Sequence, residues 1–321
     1  MVELAKDNPR YGFWLQPGLG KTVGSLAIVE NQPMKTVVVC PKSVMQAAWI
    51  SDAERFFPGL KIVCCWDRQV LNRKNLILDS DADILVINID LFKAHKQDFL
   101  DAGVKRLILD ESSMAKNHKA QRTKALIDFA DQMESVYLLS GTPAPNCLTE
   151  YYTQVRAINK YIYGASFYGF AARFFYTMTR PINGREIITG YKQRTDRMDE
   201  FNEKLRSCTW SLSKEDAIDL PSQTDIIRIV DLSPKDRTTY EMVYAGLQAE
   251  MEGETLSPSG QAKLMKLRQL SGGFYYQDKK PIFTHTSPKL NELNSLLDEL
   301  GNEPVVIWAN FRAEIDMISK L

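Results

Sequence analysis

The sequence predicts an α/β fold with a doubly wound parallel sheet in its first half, and two observations support this. Short apolar runs rich in β-branched residues recur through residues 1–150, and amphipathic stretches separate them. Runs that are apolar on both faces are typical of strands buried in a parallel sheet. A glycine-containing loop follows the first run and leads into a helical pattern. This alternation of strands and helices places ligands beyond the carboxyl ends of the strands.

Strands and helices alternate regularly in this half. The predicted strands cover residues 11–15, 36–40, 61–66, 83–89, 106–110 and 135–140. The predicted helices cover residues 21–31, 43–57 and 117–131. Ser43 is the expected N-cap of the second helix.

The pattern changes after about residue 149, where it becomes helical and aromatic, with a turn-like stretch at residues 180–185. Further strands are expected at residues 225–232 and 303–309, and further helices at residues 234–252, 260–270 and 287–300. The chain is therefore expected to divide into residues 1–150, an insertion at 151–222, a joining segment at 223–286 and a further lobe that begins at 287–321.

Composition excludes several classes of protein. Lys plus Arg equals Asp plus Glu at 40 each, so a nucleic-acid contact must come from a local patch and not from a global basic field. The five cysteines include no C-x-x-C pair and the three histidines lie far apart, which argues against zinc or disulfides. His95 and His118 are expected at the surface. No apolar run approaches the roughly 20 residues that a membrane helix needs, so no membrane partner is expected.

The loop after the first predicted strand carries the strongest chemical signal. It consists of Gln16, Pro17, Gly18, Leu19, Gly20, Lys21 and Thr22. Glycines let backbone N–H groups wrap closely around phosphates, Lys21 supplies positive charge, and the Thr22 hydroxyl is a ligand for Mg²⁺. The strict P-loop pattern has glycine where this chain has Leu15. The loop predicts a phosphate site that uses Mg²⁺.

Two acids follow the fifth predicted strand. Asp110 is expected to hold Mg²⁺ through water, and Glu111 to orient and deprotonate an attacking water. A run of apolar residues before two acids is a weak signal alone. It gains weight from its position downstream of the glycine loop.

A third segment, residues 137–143, also ends a strand. The hydroxyls of Ser140 and Thr142, with Gly141 between them, are expected to link the acid pair to whatever moves on hydrolysis. The alternative is an ordinary turn between a strand and a loop.

A fourth segment combines a strand end with the start of a helix. Pro41, Lys42 and Ser43 offer a cation, a hydroxyl and free helix N–H groups to a nucleic-acid phosphate, and Asn88 is assigned to the same contact. The alternative is an ordinary helix cap.

In this order the four segments resemble superfamily 2 helicases, and most of all the Swi/Snf-type DNA-translocating ATPases. The matching residues are Gly18–Leu19–Gly20–Lys21–Thr22 for G-L-G-K-T, Asp110–Glu111–Ser112–Ser113 with Lys116–Asn117 for D-E-A-H and K-N, and Leu138 to Pro143 with Asn146 for L-L-T-G-T-P-x-x-N. Downstream matches are Lys214, Asp219–Leu220–Pro221 and Leu267–Arg268.

This resemblance implies a RecA-like P-loop NTPase lobe, a helical protrusion and the start of a second RecA-like lobe. It implies a nucleic-acid-dependent ATPase that takes ATP and Mg²⁺ and moves along duplex or branched DNA with little sequence preference. The compartment expected is the cytoplasm of a bacterium or of a viral host.

The chain departs from the family pattern at three places. Ser113 stands where the family has the coupling histidine, so Ser113 is assigned to that position. The region before Tyr11 is too short for the family's adenine-reading glutamine motif. The family's arginine fingers come from beyond Leu321, so the chain alone is expected to bind ATP and hydrolyse it weakly.

Several alternatives stay open from the sequence. The motor is a DNA translocase, an RNA helicase or a restriction-type motor subunit, or the chain is a nucleotide-switched DNA-binding module without translocation. The aromatic residues at 161–176 pack a core or stack on bases. One further group either contacts phosphate or forms a solvated face: Arg180, Arg185, Lys192, Arg194 and Arg197.

Overall fold

The computed structural model describes residues 1–182, 185–219, 224–248, 258–278, 280–284 and 287–321. The chain forms two compact units, Met1–Pro221 and Ser222–Leu321. The centre of the expected turn at 180–185, Leu220 and Pro221, and the end of the expected helix at 234–252 lie outside the described residues. The division into four segments stays a prediction.

The strands of the described residues fall into one sheet and two hairpins. They are β1 (Arg10–Leu15), β2 (Thr36–Cys40), β3 (Ile62–Cys64), β4 (Ile84–Asn88), β5 (Arg106–Leu109), β6 (Ser135–Leu139), β7 (Phe175–Ile182), β8 (Arg185–Gln193), β9 (Thr209–Leu212), β10 (Phe274–Gln277) and β11 (Lys280–Phe283). The sheet has the order β3-β4-β2-β5-β6-β1-β9, and all its neighbours are parallel. The six strands predicted in the first half are confirmed.

Helices connect the strands and continue into the second unit. They are α1 (Val2–Asp7), α2 (Lys21–Asn31), α3 (Lys42–Val44), α4 (Ser51–Phe56), α5 (Val70–Leu78), α6 (Ile89–Asp101), α7 (Gln121–Ala130), α8 (Tyr151–Ile158), α9 (Phe167–Phe174), α10 (Met198–Arg206), α11 (Lys214–Ala217), α12 (Pro234–Gln248), α13 (Pro258–Ser271), α14 (Pro288–Leu300) and α15 (Arg312–Ile318). A π-helix, Met45–Ile50, lies between α3 and α4, and short 3₁₀ turns occur at Ser112–Ala115, Leu148–Glu150 and Thr195–Arg197. None of the described helices combines the length and apolar character needed to cross a lipid bilayer.

The sheet separates two apolar cores. Val37 and Leu107 face one core, whereas the adjacent Val38 and Ile108 face the other. Successive strand residues point to opposite faces of the sheet. A sheet that is covered on both faces therefore needs strands that are apolar on both faces. This burial explains why the pattern of the first 150 residues predicted the sheet correctly.

The insertion contains a β-ribbon, formed by β7 and β8 in antiparallel pairing, where the sequence pattern predicted helix. Residues 175–182 and 185–193 are rich in Thr, Ile and Tyr, which favour strands. Asn183–Gly184 between them is the usual sequence signal for a hairpin turn. Core packing is confirmed for the neighbouring aromatic residues, because Tyr163, Phe167, Phe170 and Phe174 are buried.

The expected strands at 225–232 and 303–309 are wrong. Neither segment forms a strand in the part of the chain that the structure describes, and Trp308 is 91% exposed. An apolar run becomes a strand only where a neighbouring strand satisfies its backbone. The pairing present in the described residues of the second unit is the hairpin β10–β11.

Two local predictions also need correction. The helix expected at 43–57 begins at Lys42, with Pro41 and not Ser43 at its N-cap position, and it passes through the π-helix Met45–Ile50. His95, expected at the surface, is buried on the inner face of α6: its Nδ1 lies 2.8 Å from Asp98 Oδ2, and its Nε2 accepts a hydrogen bond from Arg73 Nε at 3.1 Å.

Candidate functional site

The glycine loop runs from the end of β1 into α2. Gly18 and Gly20 have φ angles of 90° and 73°, in the left-handed region that favours glycine. Gly20 is the N-cap of α2, so the unpaired N–H groups of the first helical turn open towards this loop. An anion placed there meets N–H groups and the positive end of the helix dipole.

Lys21 lies at the centre of this loop. Its Nζ donates to the backbone carbonyl of Leu15 at 2.9 Å and lies 3.5 Å from the carbonyl of Gln16. The Gln16 side chain is itself fixed, since its Oε1 accepts a hydrogen bond from the backbone N–H of Lys214 at 2.9 Å. The ammonium group is therefore held at the carboxyl end of β1 and not released into solvent.

Asp110 follows β5 at the same edge of the sheet and is 8% exposed. Its Oδ2 accepts a hydrogen bond from Trp49 Nε1 at 3.0 Å, and its Oδ1 accepts one from the Glu111 backbone N–H at 3.0 Å. Burial raises the pKa of Asp110, while these hydrogen bonds and the charge of Lys21 act in the opposite direction. The hydrogen bond from Trp49 to Asp110 had no signal in the sequence.

A hydrogen bond between Ser140 and Glu111 connects the third segment to the acid pair. Glu111 has a φ of 52°, unusual for a residue with a side chain. Its Oε2 accepts a hydrogen bond from Ser140 Oγ at 3.4 Å, and Ser140 Oγ accepts one from the Thr142 N–H at 3.2 Å. The hydroxyl is shared between the acid and the loop after β6.

Gly141 brings the third segment against the glycine loop. A Cβ at Gly141 would lie 2.8 Å from Pro17 Cδ, which is closer than real contacts allow. The loops after β6 and β1 therefore touch, and any larger residue at 141 would displace Pro17.

Two residues missed by sequence reasoning complete these contacts. Gln154, buried on α8, accepts a hydrogen bond from Ser112 Oγ at 2.6 Å and donates to the Pro143 carbonyl at 2.7 Å. Glu150 pairs with Lys116 at 3.1 Å and accepts a hydrogen bond from Asn146 Nδ2 at 2.8 Å. Lys116 and Asn146 were both recognised as motif residues, but their spacing in the sequence does not indicate that they share an acidic partner.

Ser113 makes no side-chain hydrogen bond to any residue that the structure describes. The neighbouring Ser112 carries the buried bond to Gln154. The assignment of Ser113 to coupling stays a prediction.

The residues assigned to nucleic acid lie at the same edge of the sheet. Pairing of Cys40 with Asn88 in β2 and β4 brings Asn88 beside Pro41, Lys42 and Ser43. Lys42 and Ser43 are exposed, and Lys42 Nζ lies 4.2 Å from the ring centroid of Trp66. The Asn88 side chain caps α6 by accepting a hydrogen bond from the Leu91 N–H at 3.2 Å.

The residues present fit a nucleotide with Mg²⁺. Left-handed Gly18 and Gly20 would form a phosphate cradle, and Thr22 and the buried Asp110 could offer the oxygen ligands that Mg²⁺ prefers. In the described part of the chain no group of three or more His, Cys, Asp or Glu side chains could hold a metal. Mg²⁺ here would depend on phosphate and water oxygens, as is usual when it accompanies a nucleotide.

The parallel sheet and the loops at its carboxyl edge define a P-loop NTPase lobe. Residues 15–272 match the SNF2-related domain, and the chain belongs to that family. The resemblance to Swi/Snf-type members of superfamily 2 is thereby confirmed.

Individual relatives agree with this family. The chain is 32% identical over 164 residues to the Caenorhabditis elegans SWI/SNF-related matrix-associated actin-dependent regulator of chromatin subfamily A-like protein 1 homolog, covering 49% of this chain and 22% of that protein. It is 24% identical to putative protein p41 of Acyrthosiphon pisum secondary endosymbiont phage 1 over 338 residues, 98% of this chain and 71% of that protein. The probable ATP-dependent DNA helicase CHR12 of Arabidopsis thaliana is 24% identical over 347 residues, 99% of this chain and 30% of that protein.

The fold class is confirmed by a solved structure. The Sulfolobus solfataricus SWI2/SNF2 ATPase core, determined in complex with dsDNA, matches with a TM-score of 0.55 and 19% identity, covering 100% of this chain and 67% of that one. The chain thus has the α/β architecture of RecA-like lobes, and it spans about a fifth of the length of the C. elegans relative.

Proposed function

We propose that the chain is the nucleotide-hydrolysing part of a motor that moves along DNA. One observation carries this proposal: the glycine loop, the acid pair, the Ser140–Thr142 loop and the Pro41–Ser43 segment all lie at the carboxyl edge of one parallel sheet. The residues proposed to hydrolyse ATP and the residues proposed to contact DNA phosphates therefore lie at the same edge of the sheet.

The chain's own residues divide the work of ATP hydrolysis. The glycine loop binds the phosphates through N–H groups, and Lys21 leaves the Leu15 carbonyl to pair with them. Thr22 and Asp110 would hold Mg²⁺, which would supply neutralising charge there. Glu111 orients the attacking water and accepts its proton. Ser140, bonded to Glu111, transmits the state of the site to the loop that contains Thr142.

The DNA side of the proposal rests on Lys42, Ser43 and Asn88. Contacts of this kind reach phosphates and not base edges, so they position a duplex with little sequence preference. The relatives named for DNA helicase activity or solved with dsDNA support DNA as the polymer.

Replacement of Lys21 tests the nucleotide site. Lys21→Ala should abolish ATP binding or turnover, because the phosphates lose their cation. Lys105→Ala is the matched control, since Lys105 forms an exposed pair with Glu134 at 3.2 Å, before the amino end of β5. Equal ATP affinity in Lys21→Ala and the parent chain would show that the phosphate-site assignment is wrong.

Translocation needs its own test. A protein that contains this chain should displace the third strand from a triplex in an ATP-dependent manner, and its ATPase should respond more to duplex DNA than to RNA. A nucleotide-switched clamp would bind the duplex and leave the triplex intact. Stronger stimulation by RNA would instead identify an RNA helicase.

A further inference from the structure

The β-ribbon of β7 and β8 has a basic face. Directly opposed residues in an antiparallel pair share a face, and alternate residues of one strand do as well. The pairs Tyr176–Lys192 and Arg180–Ile187 therefore lie on one face, together with Arg185, which opposes Ile182. Opposed Pro181 and Glu186 lie on the other face.

A bulge creates this arrangement. Met178 pairs with Gly190 and Thr179 with Ile188, so Thr189 is an extra residue in β8. The extra residue shifts the alternation of β8, and odd-numbered Arg185 then shares a face with even-numbered Lys192. If the same sequence formed a regular strand without the bulge, Arg185 and Lys192 would point to opposite sides.

The basic face is open. Every described side chain from Tyr176 to Pro181 and from Arg185 to Thr189 is exposed. Arg180, Arg185 and Lys192 form no salt bridge with any acid in the described residues, whereas Arg194 is paired with Asp196. Three uncompensated positive charges therefore face solvent.

Apolar groups lie between these charges. Tyr176 is 55% exposed and Met178 is 53% exposed, and the guanidinium of Arg194 lies 5.1 Å from the Tyr176 ring centroid. A surface that presents cations among aromatic and apolar groups is complementary to a nucleic-acid backbone, where phosphates alternate with sugars.

The base of the β-ribbon is fixed to the motor lobe. Phe175 is buried, and Tyr191 meets the Phe167 ring edge-on at 5.7 Å. Phe167 stacks on His118 with ring centroids 3.6 Å apart, and His118 belongs to the loop that follows the acid pair. The base of the ribbon therefore contacts the loop after the acid pair through Phe167, and this contact involves the face opposite the basic one.

We propose that the basic face of the β-ribbon binds the phosphate backbone of duplex DNA as a second contact besides Pro41–Ser43, a proposal that rests on the DNA-directed function above. A β-ribbon fits the major groove of B-form DNA, about 12 Å wide. The deep, narrow major groove of an RNA duplex does not admit it.

Duplex binding without nucleotide tests this proposal. The measurement is anisotropy of a labelled duplex across a range of NaCl concentrations, with the triple variant Arg180→Ala/Arg185→Ala/Lys192→Ala. Each lost phosphate contact lowers the salt slope by about 0.9. The slope should fall by roughly 2 to 3 and the affinity at low salt by about tenfold or more.

The control is the triple variant Lys105→Ala/Lys160→Ala/Arg206→Ala, which removes the same amount of charge. These three residues are exposed and lie near the amino ends of the strands. It should leave the slope within about 0.5 of the parent value. An unchanged slope in the β-ribbon variant, an equal loss in the control, or equal competition by an RNA duplex would each overturn the proposal. Failure of the parent chain to bind ATP would count against the motor function alone, because this assay contains no nucleotide.

Discussion

At the scale of single residues, the position of Asp110 is set by hydrogen bonds on both of its oxygens. Trp49 supplies one of them from the π-helix that begins just after the proposed DNA-contacting residues Lys42 and Ser43. Short π-helices often occur at functional sites. The indole N–H orients the carboxylate proposed to hold Mg²⁺.

Trp49→Phe should impair the Mg²⁺-dependent step, because it removes that N–H and keeps an aromatic ring. A hydrogen bond to a charged group contributes about 1.5–3 kcal/mol, which corresponds to roughly tenfold or more. The readout is the Mg²⁺ concentration that gives half-maximal ATP turnover, which should rise by about that factor.

Trp14→Phe is the matched control for this change. Trp14 is also buried, and its Nε1 has no hydrogen-bond partner among the described residues. It should show the same Mg²⁺ dependence as the parent chain. Equal shifts in both variants would mean that the Trp49–Asp110 bond has no specific role.

At the scale of elements, Glu150 joins the turn before α8 to two loops of the carboxyl edge. Burial raises the pKa of Glu150, but hydrogen bonds from Asn146 and Lys116 outweigh it and lower the pKa below its ordinary 4.5. The ionised carboxylate therefore stabilises the fold fully above about pH 4.5, and this stabilisation is lost as the pH falls through the lowered folded-state pKa.

Glu150→Gln should lower the free energy of unfolding at neutral pH by about 1–2 kcal/mol. The difference from the parent chain should shrink as the pH falls below 4.5, since the parent then protonates. Urea titrations at several pH values measure it. Glu134→Gln, in an exposed pair, should cost less than about 0.5 kcal/mol. A deficit that stays constant down to acid pH would contradict the assigned role of the charge.

Elements with strong burial patterns were predictable, and elements defined by distant partners were not. The run 36–40 is apolar on both faces and became β2 as predicted. The four residues of β9 carry no such run, and they form a strand because β1 supplies their backbone partners. The run 303–309 also contains consecutive apolar residues, at 305–309, but it has no strand partner in the described residues.

The site followed the same rule. Lys21, Asp110 and Glu111 were assigned to the site because their residue types and order indicate phosphate chemistry, and the structure places all three at one edge of the sheet. Their roles stay predictions. The buried contacts of Trp49 and Gln154 were not found, because a tryptophan or glutamine far along the chain has no local signature of the atom that it bonds.

At the scale of the whole molecule, residues 15–272 match the SNF2-related domain family, and the function proposed for this family member is an ATP-driven motor. In the proposed function, ATP hydrolysis depends on both the acid pair and DNA. Glu111 is the residue common to both requirements, because it is proposed to take the proton from the attacking water and its carboxylate accepts a hydrogen bond from Ser140.

Steady-state ATP hydrolysis with and without duplex DNA tests this claim most directly, in a protein that contains this chain and the family's arginine fingers, and in its Glu111→Gln variant. The parent protein should hydrolyse ATP faster when duplex DNA is present. Glu111→Gln should bind ATP but lose about 10²–10⁴-fold in turnover under both conditions, because it lacks the general base. A rate of ATP hydrolysis that is unchanged by duplex DNA, or that is retained in Glu111→Gln, would contradict the proposed function.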